Sequence, residues 1–457
     1  MIKDFDDSYL ELKLNELFFE VFKITGSIDY NQLEYQKIHQ WDSLNHINLM
    51  LGIEKKFNCQ IPKGSVLQLT NYNKIKEFLI SLSKLNSDEK SQHTDGSDKK
   101  IYRGLNNIYY DETKISYIDG NNGHLLYRGY KIDHLVNNYS AEEVMYLLIE
   151  GNLPDNENLK KFKTNLENER YLSKYVIKFL KTNAKKYSLM TCIKSCLALI
   201  TEELSTYSSK KQLICLTSKI PLLIGNYLSI VNSNKEFSFD KNISHGDFLA
   251  KCIFQKLKIQ TNYVKMLEKM SIIQFEHESN ASAFAARVAT GTENSFGNAI
   301  LAATSTFEGK LHGGAIKLVA DMLENITIEN VDKYIKDRTK QNLPIYGFGH
   351  RVYRTEDPRS VILKNLLDEF YRDKKNKTIL EILAKTKQEM SEFIKHGIDI
   401  NVDFYSSVCL KSLNINKNLF LPIFIANRVV GWGVHIIEQK MNNILIRPRL
   451  KYSEIIE

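Results

Sequence analysis

Four short stretches concentrate the side chains that could do chemistry. "EGKLHGGAIK" carries His312, "IYGFGHRVYRTEDPRS" carries His350, Arg354 and Arg359, "NVDFYSSV" carries Asp403, and "FEHESNASAFAAR" carries His277. Glycine beside a histidine lets the backbone approach a ligand and leaves the imidazole uncovered, which suits a hydrogen-bond donor to a substrate oxygen. A carboxylate with imidazoles is sufficient in kind to move a proton and to stabilise the charge that develops. Each stretch also has a plain structural reading, since a histidine in a helical protein commonly caps a helix or fills a core, and Gly-Gly can simply end a helix. "GFGHRV" lacks the third glycine and the preceding strand of a dinucleotide loop. "HGGA" is like an esterase oxyanion loop, yet no Gly-x-Ser-x-Gly elbow occurs in the chain. "HESNA" lacks the second histidine of a zinc helix.

The elements that must position these groups read as helices. At 457 residues, with 43% hydrophobic and 25% charged side chains, the chain has the composition of a globular protein of two or three domains. In "YSAEEVMYLLIEG", Ser140 and Glu143 have capping-box spacing, Val144, Leu147 and Leu148 mark an apolar face, and Gly151 is placed to end the helix. Strand signals are sparse apart from a short hairpin around "ISYIDGNNGHLLYRG", where Gly120 and Gly123 flank two asparagines. The expectation is an all-α fold, without internal repeats. "LFLPIFIANRVVGWGVHII" has the length of a membrane span, but Pro422, Asn427, Arg428 and His435 interrupt it, so a buried helix with a functional cation is expected.

Composition also bounds the partners. A net charge of +8 permits an anionic ligand, but the lysines are dispersed, which points to a small polyanion and away from nucleic acid. The six cysteines form no Cys-x-x-Cys pair, and Cys192 with Cys196 has no third ligand nearby, so these thiols read as core residues in a reducing compartment. No metal site is expected. The acid-bearing start "MIKDFDDSYLELK" has no signal-peptide pattern, which makes the cytoplasm the default and a membrane no partner.

Taken in order, these stretches resemble the citrate synthase family. "YIDGNNGHLLYRGYKIDHL", "HESNASAFAAR", "LHGGA", "GFGHRVYRTEDPR", "NVDFYS" and "PIFIANRVVGWGVHIIEQ" with "IRPRLKY" match its pattern over about residues 105–453. The resemblance implies a two-domain helical fold, with a large domain of 105–313 and 416–457 and a small domain of 314–415 closing over the site. It implies condensation of acetyl-CoA with oxaloacetate, with Asp403 as general base, His312 as donor to the thioester oxygen and His350 polarising the ketone. It further makes His277, Arg359, Arg428 and Arg447 oxaloacetate-binding residues and Arg354 a contact of the CoA phosphates. Planar guanidinium forks suit the two carboxylates of such a substrate. Because the family's counterpart of Arg447 reaches the partner's site, a homodimer is implied. The family often has His, Asn and Gly where Gln274, Ile316 and Ser407 stand here. A 2-methylcitrate synthase carries nearly the same catalytic set, and one methylene is worth only about 1–3 kcal/mol of discrimination.

Residues 1–82 form a separate helix-patterned unit, followed by a polar linker expected over 83–104. The stretch "WDSLNHINLMLGIEKKFNCQIP" resembles an acyl carrier protein, so the fold expectation adds a small carrier-type bundle. Asp42 is placed to cap a helix with Leu44, Ile47 and Leu51 on its apolar face, which puts Ser43 in the first turn, where a phosphodiester meets unpaired N–H groups. By that likeness Ser43 would carry 4'-phosphopantetheine, with a phosphopantetheinyl transferase and an acyl-loading enzyme as partners; otherwise it is only a helix-start serine. A flexible linker of about 20 residues spans about 25 Å, and tethering supplies an effective concentration of about millimolar. Two other readings stay open, condensation of another acyl thioester with a 2-oxo acid and a non-catalytic module that binds a carrier.

Overall fold

The computed structural model describes residues 7–450 apart from 24–28, 36, 39, 58, 60, 62–65, 67, 85–101, 106–107 and 376. Twenty α-helices, three short 3-10 helices and one three-stranded sheet are found among the described residues. The described residues are mostly helical, and the one sheet is the expected hairpin with a third strand added. The linker expected over 83–104 lies outside the described residues except at its two ends.

The first three helices, α1 (Asp7–Phe22), α2 (Ser43–Phe57) and α3 (Tyr72–Lys84), enclose a core of their own around Leu14, Phe18, Trp41, Met50, Ile53 and Ile75. Each such side chain contributes about 1.5–3 kcal/mol on burial. Asp42 caps α2 through its carboxylate, which accepts from the Asn45 N–H at 2.8 Å. Ser43 is the first residue of α2; its side chain lies outside the described residues. The buried stripe of α2 differs from the expected one. Leu44 and Leu51 are only half-buried, whereas Ile47, Met50, Ile53 and Phe57 are buried. His46 explains the rotation, since its Nδ1 accepts from the Trp41 indole at 3.0 Å and its Nε2–H reaches the Val66 carbonyl at 2.7 Å. Burial lowers the pKa of this imidazole, and the two bonds together fix it as a neutral cross-link through the small core.

The rest of the chain packs around one contiguous cluster running from Ile115 to Ile436. The expected capping box is formed, with Ser140 and Glu143 bonded reciprocally and Gly151 ending the helix at a φ of 94°. The expected hairpin pairs β1 (Ser116–Asp119) with β2 (His124–Tyr127), and β3 (Tyr130–Lys131) adds a third strand. Asp119 shapes the turn by accepting from the N–H groups of Asn121 and Asn122 at 3.1 and 3.0 Å. The turn lies against the segment that follows His350. The Arg354 N–H donates to the Gly120 carbonyl at 2.8 Å, and a Cβ on Gly120 would stand 2.2 Å from the Val352 carbonyl oxygen. Glycine is therefore required there by close approach.

Two helices, Ser209–Ser233 and Lys417–Met441, are long and apolar enough to cross a membrane, but 72% and 89% of their apolar windows are buried inside the protein. The apolar C-terminal stretch is thus a core helix, as its interrupting polar residues suggested. Its Gly431 passes so close to the strand-like turn before His277 that a Cβ would lie 2.3 Å from the Phe275 carbonyl and 2.4 Å from the Glu276 carboxylate. Backbone cannot yield there as a flexible side chain could. Gly431→Ala is expected to destabilise the protein by about 1–3 kcal/mol, as overpacking does; urea unfolding of the two proteins measures the difference, and an unchanged midpoint would show that the two segments separate freely.

Candidate active site

Two distant segments are joined before any side chain meets another. Residues 347–349 run antiparallel to 399–401, with Phe348 bridged to Ile400. The Gly349 N–H donates to the Asp399 carbonyl at 2.8 Å, the Asn401 N–H to the Gly347 carbonyl at 2.9 Å, and the Asn401 side chain to the Gly349 carbonyl at 3.0 Å. Asn401 also caps the helix Val402–Ser412 by accepting from the Asp403 N–H. His350 leaves one segment and Asp403 opens the helix that follows the other. The pairing is thus what brings an imidazole and a carboxylate from separate parts of the sequence to one place.

His350 has a fixed tautomer. Its Nδ1 accepts from the N–H groups of Val352 and Tyr353 at 3.0 and 3.1 Å, so the ring proton sits on Nε2. Burial pushes its pKa down to about 4, with the nearby Asp357 only partly opposing, and the ring is neutral. His277 is buried, packs edge-on to His350 with ring centroids 5.3 Å apart, and approaches the Tyr353 hydroxyl at 3.3 Å. Burial, reinforced by Arg359, holds it well below the usual histidine range.

His312 sits in the turn between the helices Phe296–Phe307 and Ala315–Glu324. Its Nε2 accepts from the Ser282 N–H at 3.2 Å, so its proton is on Nδ1. Ser282 is in turn held by the Trp432 indole at 2.9 Å and by Asn280, the cap of the helix Ala281–Gly291. Phe307 covers the imidazole at 4.7 Å between centroids. Burial, with Arg428 adding to it, lowers the pKa to about 3.

Arg428 is a charge that His277, His312 and Asp403 share. It is buried on the helix Phe420–Met441, where its Nε donates to the Gln274 carbonyl at 2.6 Å. Its Nη1 and Nη2 make no hydrogen bond among the described residues. The rings of Phe424 and Phe307 lie 5.1 and 5.8 Å from the guanidinium carbon, and burial pushes the pKa down to about 10. Half-buried Asp403 feels Arg428 and Arg359, yet burial dominates and raises its pKa to about 7. Arg359 differs from the free fork that the sequence suggests, because Asp357 accepts from its Nε at 3.0 Å and its Nη2 at 2.6 Å. Asp357 also caps the helix Pro358–Tyr371. Burial opposes the charge on Arg359, but the Asp357 carboxylate prevails and holds its pKa above the ordinary value.

His277, His350 and Asp357 place one donor atom each within 4.8 Å of one another. Both Asp357 oxygens are engaged by Arg359, so the cluster is an ion pair beside two imidazoles. Arg354 is half-buried and spends its guanidinium on carbonyls of its own loop, at His350 (3.0 Å), Tyr353 (3.3 Å) and Arg351 (3.0 Å). Arg447 stands apart, exposed on the segment after the last helix, and makes no hydrogen bond or ion pair among the described residues.

A second polar layer has no counterpart in the sequence reading. Glu276 is buried beside His277, and its Oε1 accepts from Ser116 at 3.0 Å and from His435 Nε2 at 3.0 Å. The Nδ1 of His435 accepts from Arg287 Nε at 2.9 Å, while Arg287 also bonds Gln439 at 3.1 Å and pairs with Glu438. In the sequence His435 is only an interruption of an apolar helix, and Arg287 only the end of a motif. Their spacing to Glu276 along the chain carries no local signal, because the three come from different helices and loops.

The buried pair Asp357–Arg359 yields a direct prediction. Removing one partner of such a pair costs about 3–5 kcal/mol, so Asp357→Ala is expected to lose that much stability, whereas Arg359→Met, which removes the charge left behind, loses less in the Asp357→Ala background. A double-mutant cycle by denaturant unfolding checks this, and additive losses would contradict it.

The geometry now has a frame of reference in known proteins. The family described as "Citrate synthase, C-terminal domain" matches residues 104–449. A citrate synthase of Acidithiobacillus ferridurans is 31% identical over 366 residues, covering 77% of this chain and 94% of its own. Citrate synthase 2 of Bacillus subtilis is 32% identical, covering 77% of this chain and 95% of its own. Among solved structures, citrate synthase from Thermotoga maritima superposes with a TM-score of 0.71 at 31% identity, covering 78% of this chain and 97% of that one. The Thermoplasma acidophilum enzyme, in a ternary complex with carboxymethyl coenzyme A and oxaloacetate, gives a TM-score of 0.72 at 25% identity, covering 78% and 97%. Residues 1–103 lie before the matched stretch. Matched by the family over residues 104–449 and superposing on its solved members, the chain belongs to the citrate synthase family.

Proposed function

We propose that this citrate synthase family chain condenses acetyl-CoA with oxaloacetate using Asp403 as base, His312 as donor to the thioester oxygen and His350 as donor to the ketone. The observation that supports these roles best is the pair of fixed tautomers. Backbone N–H groups occupy Nε2 of His312 and Nδ1 of His350, which leaves His312 Nδ1–H and His350 Nε2–H as the free donors. Both rings are neutral, so each can hold developing negative charge without first having to lose a proton.

The ionised carboxylate of Asp403 takes a proton from the thioester methyl group, and the electron pair released forms an enolate whose oxygen accepts a hydrogen bond from His312. The enolate carbon attacks the ketone carbon of oxaloacetate, and the carbonyl pair moves onto an oxygen met by His350, whose final protonation is balanced by the proton that Asp403 removed. Water then cleaves the thioester, giving citrate and the free thiol. Arg428, with two unbonded nitrogens, and the remaining Nη1 of Arg359 suit the substrate carboxylates, beside His277. In the same reading Arg354 meets the CoA phosphates, Arg447 serves the partner's site in a homodimer, and 314–415 closes as a small domain on 105–313 and 416–457.

The N-terminal unit is proposed as a carrier-type domain with 4'-phosphopantetheine on Ser43. Support comes from its separate core and from Asp42 capping the helix that Ser43 opens. Intact mass after treatment with a phosphopantetheinyl transferase and CoA tests this: a gain lost in Ser43→Ala is expected, and no gain would remove the proposal.

Oxaloacetate-dependent release of free thiol from acetyl-CoA, with propionyl-CoA beside it, tests the reaction. His312→Ala is expected to lower kcat by about 10²–10³-fold, as loss of an oxyanion donor does. Because Asp403 works ionised and burial raises its pKa to about 7, kcat/KM for the thioester is expected to rise with pH through about 7. Asp403→Asn should abolish both turnover and that limb; a variant that keeps either would refute the assignment.

A further inference from the structure

Hydrogen bonds on both sides of His277 fix the turn that carries it. On one side the Gln274 carbonyl accepts from Arg428 Nε at 2.6 Å, and the Gln274 side chain accepts from Asn427 at 2.8 Å. On the other, the Glu278 N–H donates to Ser116 Oγ at 3.1 Å. Between them the Tyr127 hydroxyl donates to the Glu276 carbonyl at 2.7 Å. The Glu276 carboxylate adds the last tie, accepting through Oε1 from Ser116 Oγ and from His435 Nε2, each at 3.0 Å. The turn is therefore pinned to β1, to β2 and to the helix Phe420–Met441.

That helix meets the turn twice. Arg428 and His435 stand seven residues apart on it, about two turns, so both present themselves on one face. Arg428 holds the turn at residue 274 and His435 holds it at residue 276, which fixes where His277 sits relative to the guanidinium. The bond from His435 is itself directed. Its Nδ1 accepts from Arg287 Nε at 2.9 Å, so the ring proton is on Nε2 and is given to Glu276. Arg287 is held in turn by Gln439 at 3.1 Å and by Glu438, which also accepts from the Lys114 N–H at 2.9 Å. Glu276 and His435 are buried, and among the described residues neither makes a hydrogen bond to His312, His350 or Asp403. Neither therefore has a part in the proton transfers given above.

We propose that Glu276 and His435 are a positioning pair for oxaloacetate: their bond holds His277 where it meets the substrate, and its loss weakens binding of the dicarboxylate and not of CoA. The inference rests on the assignment of His277 to oxaloacetate. The direction of the hydrogen bond carries the effect, and the charge on Glu276 does not. Its Oε2 accepts no hydrogen bond among the described residues, so an amide in place of the carboxylate keeps the oxygen that Ser116 and His435 use and gives up neither bond.

Calorimetric binding of oxaloacetate and of CoA to the full chain tests this without turnover. Glu276→Ala is expected to weaken oxaloacetate binding by about 10–100-fold, the range found when the outer partner of a metal-bound histidine is removed, with CoA binding unchanged. Glu276→Gln should bind oxaloacetate as the parent does. His435→Phe keeps a ring of similar size and breaks the same bond from the other side, so it should lose as much as Glu276→Ala and decides the matter if that variant does not fold. In a His277→Ala background, removing Glu276 should cost nothing further, because the pair acts through that imidazole. Additive losses in the double variant, an equal loss in Glu276→Gln, or a parallel loss of CoA binding overturns the proposal. If His277→Ala alone binds oxaloacetate like the parent, the assignment of His277 fails and the proposal falls with it. If His277→Ala weakens binding while Glu276→Ala and His435→Phe do not, the proposal alone fails.

Discussion

A guanidinium buried without a bonded carboxylate is the constraint from which the site follows. Holding Arg428 inside the protein costs free energy that only partners can offset, and the partners supplied are one carbonyl, two aromatic faces and the more distant Glu276. None of these saturates its fork. The same charge acts on His312, His277 and Asp403, adding to the burial that keeps the two imidazoles neutral and pulling against the burial that keeps part of Asp403 protonated. A substrate with carboxylates would complete the site electrostatically, which is a reason for binding and chemistry to be coupled.

Neutral imidazoles are useful only if the proton is on the right nitrogen, and the protein settles this with fixed N–H donors. Ser282 does so for His312, the N–H groups of Val352 and Tyr353 for His350, and Arg287 for His435. In each case a donor occupies one ring nitrogen and forces the proton to the other. For His435 the free N–H then reaches Glu276, next to His277, so the orientation of one candidate substrate contact is anchored two residues deep.

Local patterns carried much of the fold. Capping at Ser140, the turn between Gly120 and Gly123 and the buried C-terminal helix depend on neighbours within a few residues and are readable from their spacing, whereas the bonds of Asp119 that shape the turn are not. His312 and His350 stand out in the sequence because each lies in a glycine-bearing segment. Asp357 lies within "RTEDPRS", where its place before Pro358 is a helix-start signal but nothing in the spacing marks it as the partner of Arg359. His46 and Glu276 were invisible for a different reason. Their partners lie 20 residues away, at Val66, and 159 residues away, at His435, and nothing in either stretch announces a buried polar bond. The rotated stripe of α2 is the visible consequence of missing one of them.

The loop that carries His350 is restrained from more than one side. The β1–β2 turn presses on Val352 and accepts from Arg354, and the 399–401 segment pairs with its start. Ile398 links that paired segment to the core of the N-terminal unit. A restraint of this kind has little room to act gradually, because packed segments shift between discrete arrangements and do not deform smoothly. The N-terminal unit touches the synthase at Phe393 and Ile398, and Ile398 stands next to the segment that pairs with the start of the loop carrying His350.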